Sequence, residues 1–142
     1  MLFIFSSINI VFNNAGAGAS RDPIDEISGD DWDFAMALLL KSVAMGIRHG
    51  APYLKQGGGG AIVNTSSMAG VVPLPGLAAY STAKYAVRGF SESLRMQMAP
   101  KGIGVSCLFP GATRTSLVPL PEDDPRQLGR ICAHRIEGPG VR

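Results

Sequence analysis

Ser67, Tyr80 and Lys84 are of the types, and at the spacing, that proton transfer at an oxygen atom requires. Tyr80 and Lys84 lie in AAYSTAKYAVRGF, Ala78 to Phe90, a segment rich in helix formers. Residues four apart in a helix project from one face. An ammonium held beside a phenol stabilises the phenolate by its charge, and a tyrosine so placed gives or takes a proton near neutral pH. Ser67, at the end of IVNTSS, supplies a hydroxyl that holds a substrate oxygen while Tyr80 works on its proton. This is chemistry for a carbonyl and its alcohol.

Positioning these groups takes alternating strands and helices. Asn9 to Phe12 reads as a buried strand, and a loop containing Arg21 to Ile27 follows it. Ser28 with Asp31 makes a capping box, which opens a helix running to about Leu54, with Pro52 near its end where proline costs least. Gly57 to Gly60 form a flexible turn. It follows a helix and precedes a strand, the reverse of the order that phosphate loops need. Ala61 to Thr65 is a second buried strand, Ser66 to Gly76 an active-site loop stiffened by Pro73 and Pro75, and Leu77 to Met98 a second long helix. Ile103 to Phe109 forms a third strand, broken by Pro110 and Gly111. Such alternation predicts an α/β fold with a parallel sheet, whose ligands sit at the carboxyl ends of the strands.

Four stretches stand at or near those ends: NNAG at Asn13 to Gly16, NTSSMAG at Asn64 to Gly70, YSTAK at Tyr80 to Lys84 and PGATRT at Pro110 to Thr115. Together, in this order and with Ser67 thirteen residues before Tyr80, they make the chain resemble the short-chain dehydrogenase/reductase family over residues 9 to 118. The resemblance implies a Rossmann-like parallel sheet with flanking helices, a single domain over 1–142, and a divergent C-terminal tail over 119–142. It implies that Ser67, Tyr80 and Lys84 are catalytic and that the cofactor is NAD or NADP. Asn14, Ala15 and Gly16 would line the adenosine side of the dinucleotide. Tyr80 and Lys84 would meet the nicotinamide ribose, Pro110 and Gly111 would turn the chain under the ring, and Thr113 and Thr115 would meet its carboxamide or the pyrophosphate. The substrate would be a small alcohol or carbonyl compound.

Two departures from the family pattern bear on activity. Family members open with a strand, T-G-x-x-x-G-x-G and a helix, whose glycines admit the pyrophosphate to the helix N-terminus. This sequence opens MLFIFSSINIVFNNAG. The expected fold is therefore incomplete, lacking the first half of the nucleotide-binding sheet and the last strand, in an N-terminally truncated member. Second, Leu39 stands where the family usually has an asparagine that helps hold a water beside the lysine. Leucine cannot hydrogen-bond a water and favours an unbroken apolar helix face, so slower proton relay is expected.

Composition agrees with one globular domain. Of 142 residues, 46% are hydrophobic and 17% charged, far from the disordered class. A formal charge of +2 gives no footprint for nucleic acid, and Arg126, Arg130, Arg135 and Arg142 read as a solvated surface. Cys107 and Cys132 show no metal-ligand spacing; Cys107 in VSCLF reads as a buried strand residue, in keeping with a reducing cytoplasm. The apolar start followed by AGAGAS imitates a secretory leader. No Lys or Arg precedes Arg21, however, and Ser6, Ser7 and Asn9 interrupt the run, so no membrane association is expected. Trp32, Met36, Met45, Met96 and Met98 read as core or helix-interface residues, and His49 and His134 receive no role.

Each motif alone has a plainer reading. The serine pair is a loop or cap, Tyr80 a half-buried packing residue, Lys84 a surface charge, NNAG a strand end and Pro110–Gly111 a turn. A second class of function also fits. In the family the two long helices pair with their twins, so helices 30–54 and 77–98 predict a homo-oligomer, or a non-catalytic interaction module. An incomplete sheet would expose a strand edge and apolar surface.

Overall fold

The computed structural model describes residues 7–113. Three strands, β1 (Ile10–Asn13), β2 (Gly60–Thr65) and β3 (Ile103–Leu108), form one parallel sheet in that order. The register pairs Val11 with Ile62 and Ile62 with Val105. Three α-helices accompany them: α1 (Gly29–Met36), α2 (Ser42–Gln56) and α3 (Ala78–Met98). This is the Rossmann-like α/β arrangement that the motif order predicts, and the three strands and α3 lie within one or two residues of their expected limits.

Local chemistry explains most boundaries. Ser28 caps α1: its hydroxyl accepts from the Asp31 amide at 3.0 Å. Gly58, Gly59 and Gly60 all have positive φ, so the turn from α2 into β2 is one that side chains would strain. Gly102, at φ 67, ends the short 3₁₀ turn after α3 in the left-handed conformation.

One expectation fails inside the first long helix. Leu39 does not sit in an unbroken α-helix. Ala37–Lys41 between α1 and α2 is a π segment, in which the Ser42 amide reaches back five residues to the Ala37 carbonyl. The Leu38 carbonyl is taken by the Ser42 hydroxyl at 2.5 Å. The reason is tertiary: α1 packs against α3 while α2 packs against β1, and one continuous α-helix does not present both faces. An apolar run such as Leu38 to Leu40 carries no signal for this insertion.

Both long helices lie on one face of the sheet. Val43, Ile47, Ala51 and Leu54 of α2 join Val87, Leu94 and Met98 of α3 over Ile62, Val105 and Cys107 in a single buried cluster. Glycines allow the close approach of α2 to β1. A Cβ on Gly50 would stand 2.5 Å from Val11 Cγ2, and one on Gly46 would stand 2.2 Å from Asn13 Oδ1. The opposite sheet face, carrying Ile10 and Phe12, is open: these side chains are 63% and 56% exposed. Met98 is buried as expected, but Met96 is 72% exposed, because it lies on α3 opposite the Val87–Leu94–Met98 stripe.

Candidate active site

The loop after β2 brings Ser67 to the carboxyl end of the sheet. Ser67 is extended and half-buried. It caps the 3₁₀ turn Met68–Gly70 by accepting from the Ala69 amide at 3.2 Å. The cap reading and the functional reading are therefore compatible, since the capping oxygen accepts and its hydroxyl proton remains to donate. Pro110 closes the loop from the other side, its carbonyl accepting from the Met68 amide at 2.9 Å.

Tyr80 and Lys84 stand on α3 as the four-residue spacing predicts. The Lys84 Nζ lies 5.7 Å from the centroid of the Tyr80 ring. Lys84 is no surface charge: only 6% of it is exposed. The end of β2 and the residue after it hold Lys84 at both ends. Its ammonium donates to the Thr65 carbonyl at 3.0 Å, and its own carbonyl accepts from the Ser66 hydroxyl at 2.8 Å. Gly70 makes room for that grip, since a Cβ there would meet Ser66 Oγ at 2.4 Å and the Lys84 carbonyl at 2.7 Å. Burial pushes the Lys84 pKa down, opposed by the charge that Cys107 would carry. Burial likewise pushes the Cys107 thiol up.

Asn14, Ala15 and Gly16 lie exposed at the end of β1. Thr65 ties Asn14 to the site by donating its hydroxyl proton to Asn14 Oδ1 at 2.9 Å. Behind Gly16 stands Leu39 of the π segment. A Cβ on Gly16 would lie 3.5 Å from Leu39 Cδ2, so this turn rests on a buried apolar side chain. Gly111 has open space around it, with Met68 Cγ at 3.9 Å from a notional Cβ. Thr113 is exposed, its hydroxyl donating to the Gly111 carbonyl at 3.2 Å. Thr115, like Cys132, His134 and the tail over 119–142, lies outside the described residues.

Beneath the site runs a polar chain that motif reading did not single out. Asn13 Nδ2 donates to Asn64 Oδ1 at 2.8 Å, Asn64 Nδ2 donates to Ser91 Oγ at 3.0 Å, and Ser91 donates to the Val87 carbonyl at 2.7 Å. Asn64 is wholly buried. The available signal was an asparagine in each of two apolar strands, since such residues are buried only with partners.

The residues present fit the ribose and nicotinamide end of a dinucleotide. Among the described residues the Lys84 ammonium uses Thr65 as its acceptor, which leaves N–H groups for ribose hydroxyls, and Asn14 to Gly16 at the end of β1 are exposed. No strand–glycine-loop–helix cradle for a pyrophosphate occurs among the described residues. Nor do they contain a cluster of His, Cys, Asp and Glu able to hold a metal, or a helix long and apolar enough to cross a membrane.

A parallel sheet whose functional groups gather at the carboxyl ends of its strands defines a Rossmann-like α/β protein. Known sequences and structures say which kind. The family described as short chain dehydrogenase matches residues 3–124. Cyclohexanol dehydrogenase of Acinetobacter sp. (strain SE19) is 32% identical over 114 residues, covering 80% of this chain and 45% of that protein. The apo form of LigO from Sphingobium sp. strain SYK-6 is 40% identical, with a TM-score of 0.71 over 76% of this chain and 40% of that one. ElxO with NADP bound is 26% identical, with a TM-score of 0.75 over 79% and 45%. The chain belongs to the short-chain dehydrogenase family, and it spans less than half the length of each of these relatives.

Proposed function

We propose that this chain carries the proton-transfer half of an NAD(P)-dependent oxidoreductase that interconverts a carbonyl and a secondary alcohol. The observation that carries the reading is the buried Lys84 ammonium, held beside the Tyr80 ring by β2. Tyr80 protonates the carbonyl oxygen in reduction and deprotonates the alcohol in oxidation. Ser67 donates its free hydroxyl proton to the same oxygen and orients it. Lys84 stabilises the phenolate and binds the ribose hydroxyls, with Asn14 to Gly16, Pro110, Gly111, Thr113 and Thr115 lining the remainder of the nucleotide. When bound, NAD or NADP supplies or accepts the hydride at the substrate carbon. ElxO, solved with NADP bound, and cyclohexanol dehydrogenase support this class of cofactor and substrate.

Because a phosphate cradle is not among the described residues, these 142 residues alone turn over slowly or not at all. The test is saturable NADH or NADPH binding by nucleotide fluorescence, followed by reduction of cyclohexanone. Tyr80→Phe is expected to lower turnover by about 10²-fold or more. Equal, measurable rates for the two proteins would remove Tyr80 from the chemistry.

A second reading has its own observation. Phe34 and Tyr53, in α1 and α2, are 60% and 54% exposed, as a surface built for another helix would be. In this reading the single domain is a helix-mediated homo-oligomer or interaction module without turnover. Failure of both nucleotides to bind saturably, together with a mass above 14.9 kDa in light scattering, would favour it.

A further inference from the structure

Thr65 holds two parts of the site by different atoms. Its carbonyl accepts from the Lys84 ammonium at 3.0 Å, and its hydroxyl donates to Asn14 Oδ1 at 2.9 Å. The register explains how one residue reaches both. β1 and β2 pair Asn13 with Asn64, so Asn14 and Thr65 stand opposite each other one step beyond that pair. Side chains alternate along a strand. Asn13 and Asn64 therefore meet on the helix side, at 2.8 Å, and Asn14 and Thr65 meet on the open side.

These neighbouring bonds serve different ends. Asn64 is wholly buried, and Asn13 satisfies a group that water cannot reach. Asn14 is exposed, and water would serve its amide nearly as well as Thr65 does. What the Thr65 bond adds is direction. A carboxamide is planar, an acceptor oxygen on one side and a donor nitrogen on the other. While Thr65 holds the oxygen, the N–H donors of Asn14 are turned away from Thr65, and no hydrogen bond among the described residues uses them. The strand itself does not call for a hydroxyl here. Val63, two residues earlier on the same face, is β-branched, half-buried and without one.

We propose that Thr65 is a positioning residue for the adenosine half of the nucleotide, which rests on the proposed lining of that half by Asn14 to Gly16. Its hydroxyl turns the Asn14 amide so that N–H donors face a ring nitrogen or ribose oxygen of the adenosine. Its carbonyl sets the ammonium that meets the nicotinamide ribose. One residue of β2 thus keeps the two ends of the nucleotide site in step.

The full ¹⁵N-labelled chain, titrated by NMR with AMP and with nicotinamide mononucleotide, tests this. Both probes carry a phosphate, so a difference between them reports base and ribose. Thr65→Val keeps the shape and strand preference of the residue and leaves its carbonyl in place. It should move the Asn14 side-chain amide signal before any nucleotide is added. It should also weaken AMP about fivefold, the loss of one neutral hydrogen bond, and leave nicotinamide mononucleotide unchanged. Thr65→Ser, which keeps the hydroxyl, should bind AMP as the unaltered chain does. Asn14→Ala should weaken AMP too, and Thr65→Val should then add nothing to it. AMP affinity indifferent to Thr65→Val, equal losses for the two probes, or additive losses in the double variant would overturn the assignment. An unaltered chain that binds neither probe would overturn the proposed nucleotide site, and this assignment with it.

Discussion

The two faces of the sheet are built from the same three strands and end in opposite states. On the helix side, Ile62, Asn64, Val105 and Cys107 are buried, and α2 and α3 fill the space above them. On the other side Ile10 and Phe12 stand open, with Ala61, Val63 and Leu108 half-buried beside them. Parallel strands are ordinarily covered on both faces, and the apolar character of this second face is that of a surface made for burial. The difference teaches where specificity lies. The covered face carries not only apolar contacts but the Asn13–Asn64–Ser91 chain, which fixes the register of β1 and β2 at the residues that lead into NNAG and Ser67. The open face carries contacts that any apolar cover would satisfy.

Substitutions on the two faces sharpen that contrast, and the largest effect belongs to Asn64. Asn64→Leu leaves the part-buried Asn13 amide without its acceptor and the buried Ser91 hydroxyl without its donor, and should cost about 3 kcal/mol by denaturant midpoint. A loss below about 1 kcal/mol would mean that the polar chain does not set the register. Next is Gly46→Ala, whose methyl must displace the Asn13 side chain it would meet at 2.2 Å. A cost of about 2 kcal/mol is expected by the same measurement, as for overpacking elsewhere.

Lys84→Met should act in the other direction and stabilise the fold by on the order of 1 kcal/mol at neutral pH, since it removes a buried charge. Folding lowers the Lys84 pKa, so between the folded value and the ordinary lysine range the unfolded chain holds more protons. Stability of the unmodified protein therefore rises with pH across that window, and the advantage of Lys84→Met shrinks there. Unfolding curves of both proteins at pH 7 and at alkaline pH read this directly, and an advantage independent of pH would contradict it. The smallest change is expected from Phe12→Gln, within about 0.5 kcal/mol as for an ordinary surface site. A cost equal to that of a buried-face substitution would show the second face to be covered in solution.

Much of the fold was legible because its signals are local. Ser28 and Asp31, the glycines from 57 to 60, Pro110 and the alternation of apolar segments each mark a boundary by chemistry acting over a few residues. The spacing of Tyr80 and Lys84 likewise placed both on one face. What escaped depends on tertiary closeness. Nothing local to Ser66, Gly70 or Ser91 says that one will clamp the Lys84 carbonyl, another make room for the clamp and the third receive Asn64 across the sheet. Met96, read as a core or helix-interface residue, is exposed, because apolar type alone does not say which stripe of α3 it belongs to.

The π segment has one more consequence, concerning which changes in length the chain tolerates. An α-helix turns about 100° per residue, so the extra residue within Ala37–Lys41 acts as a phase shift between α1, which meets α3, and α2, which meets β1. Losing any one of these five residues would restore a straight helix yet turn Val43, Ile47 and Leu54 away from the sheet by about that angle. The residue count of this stretch is locked by the two partners it keeps in step.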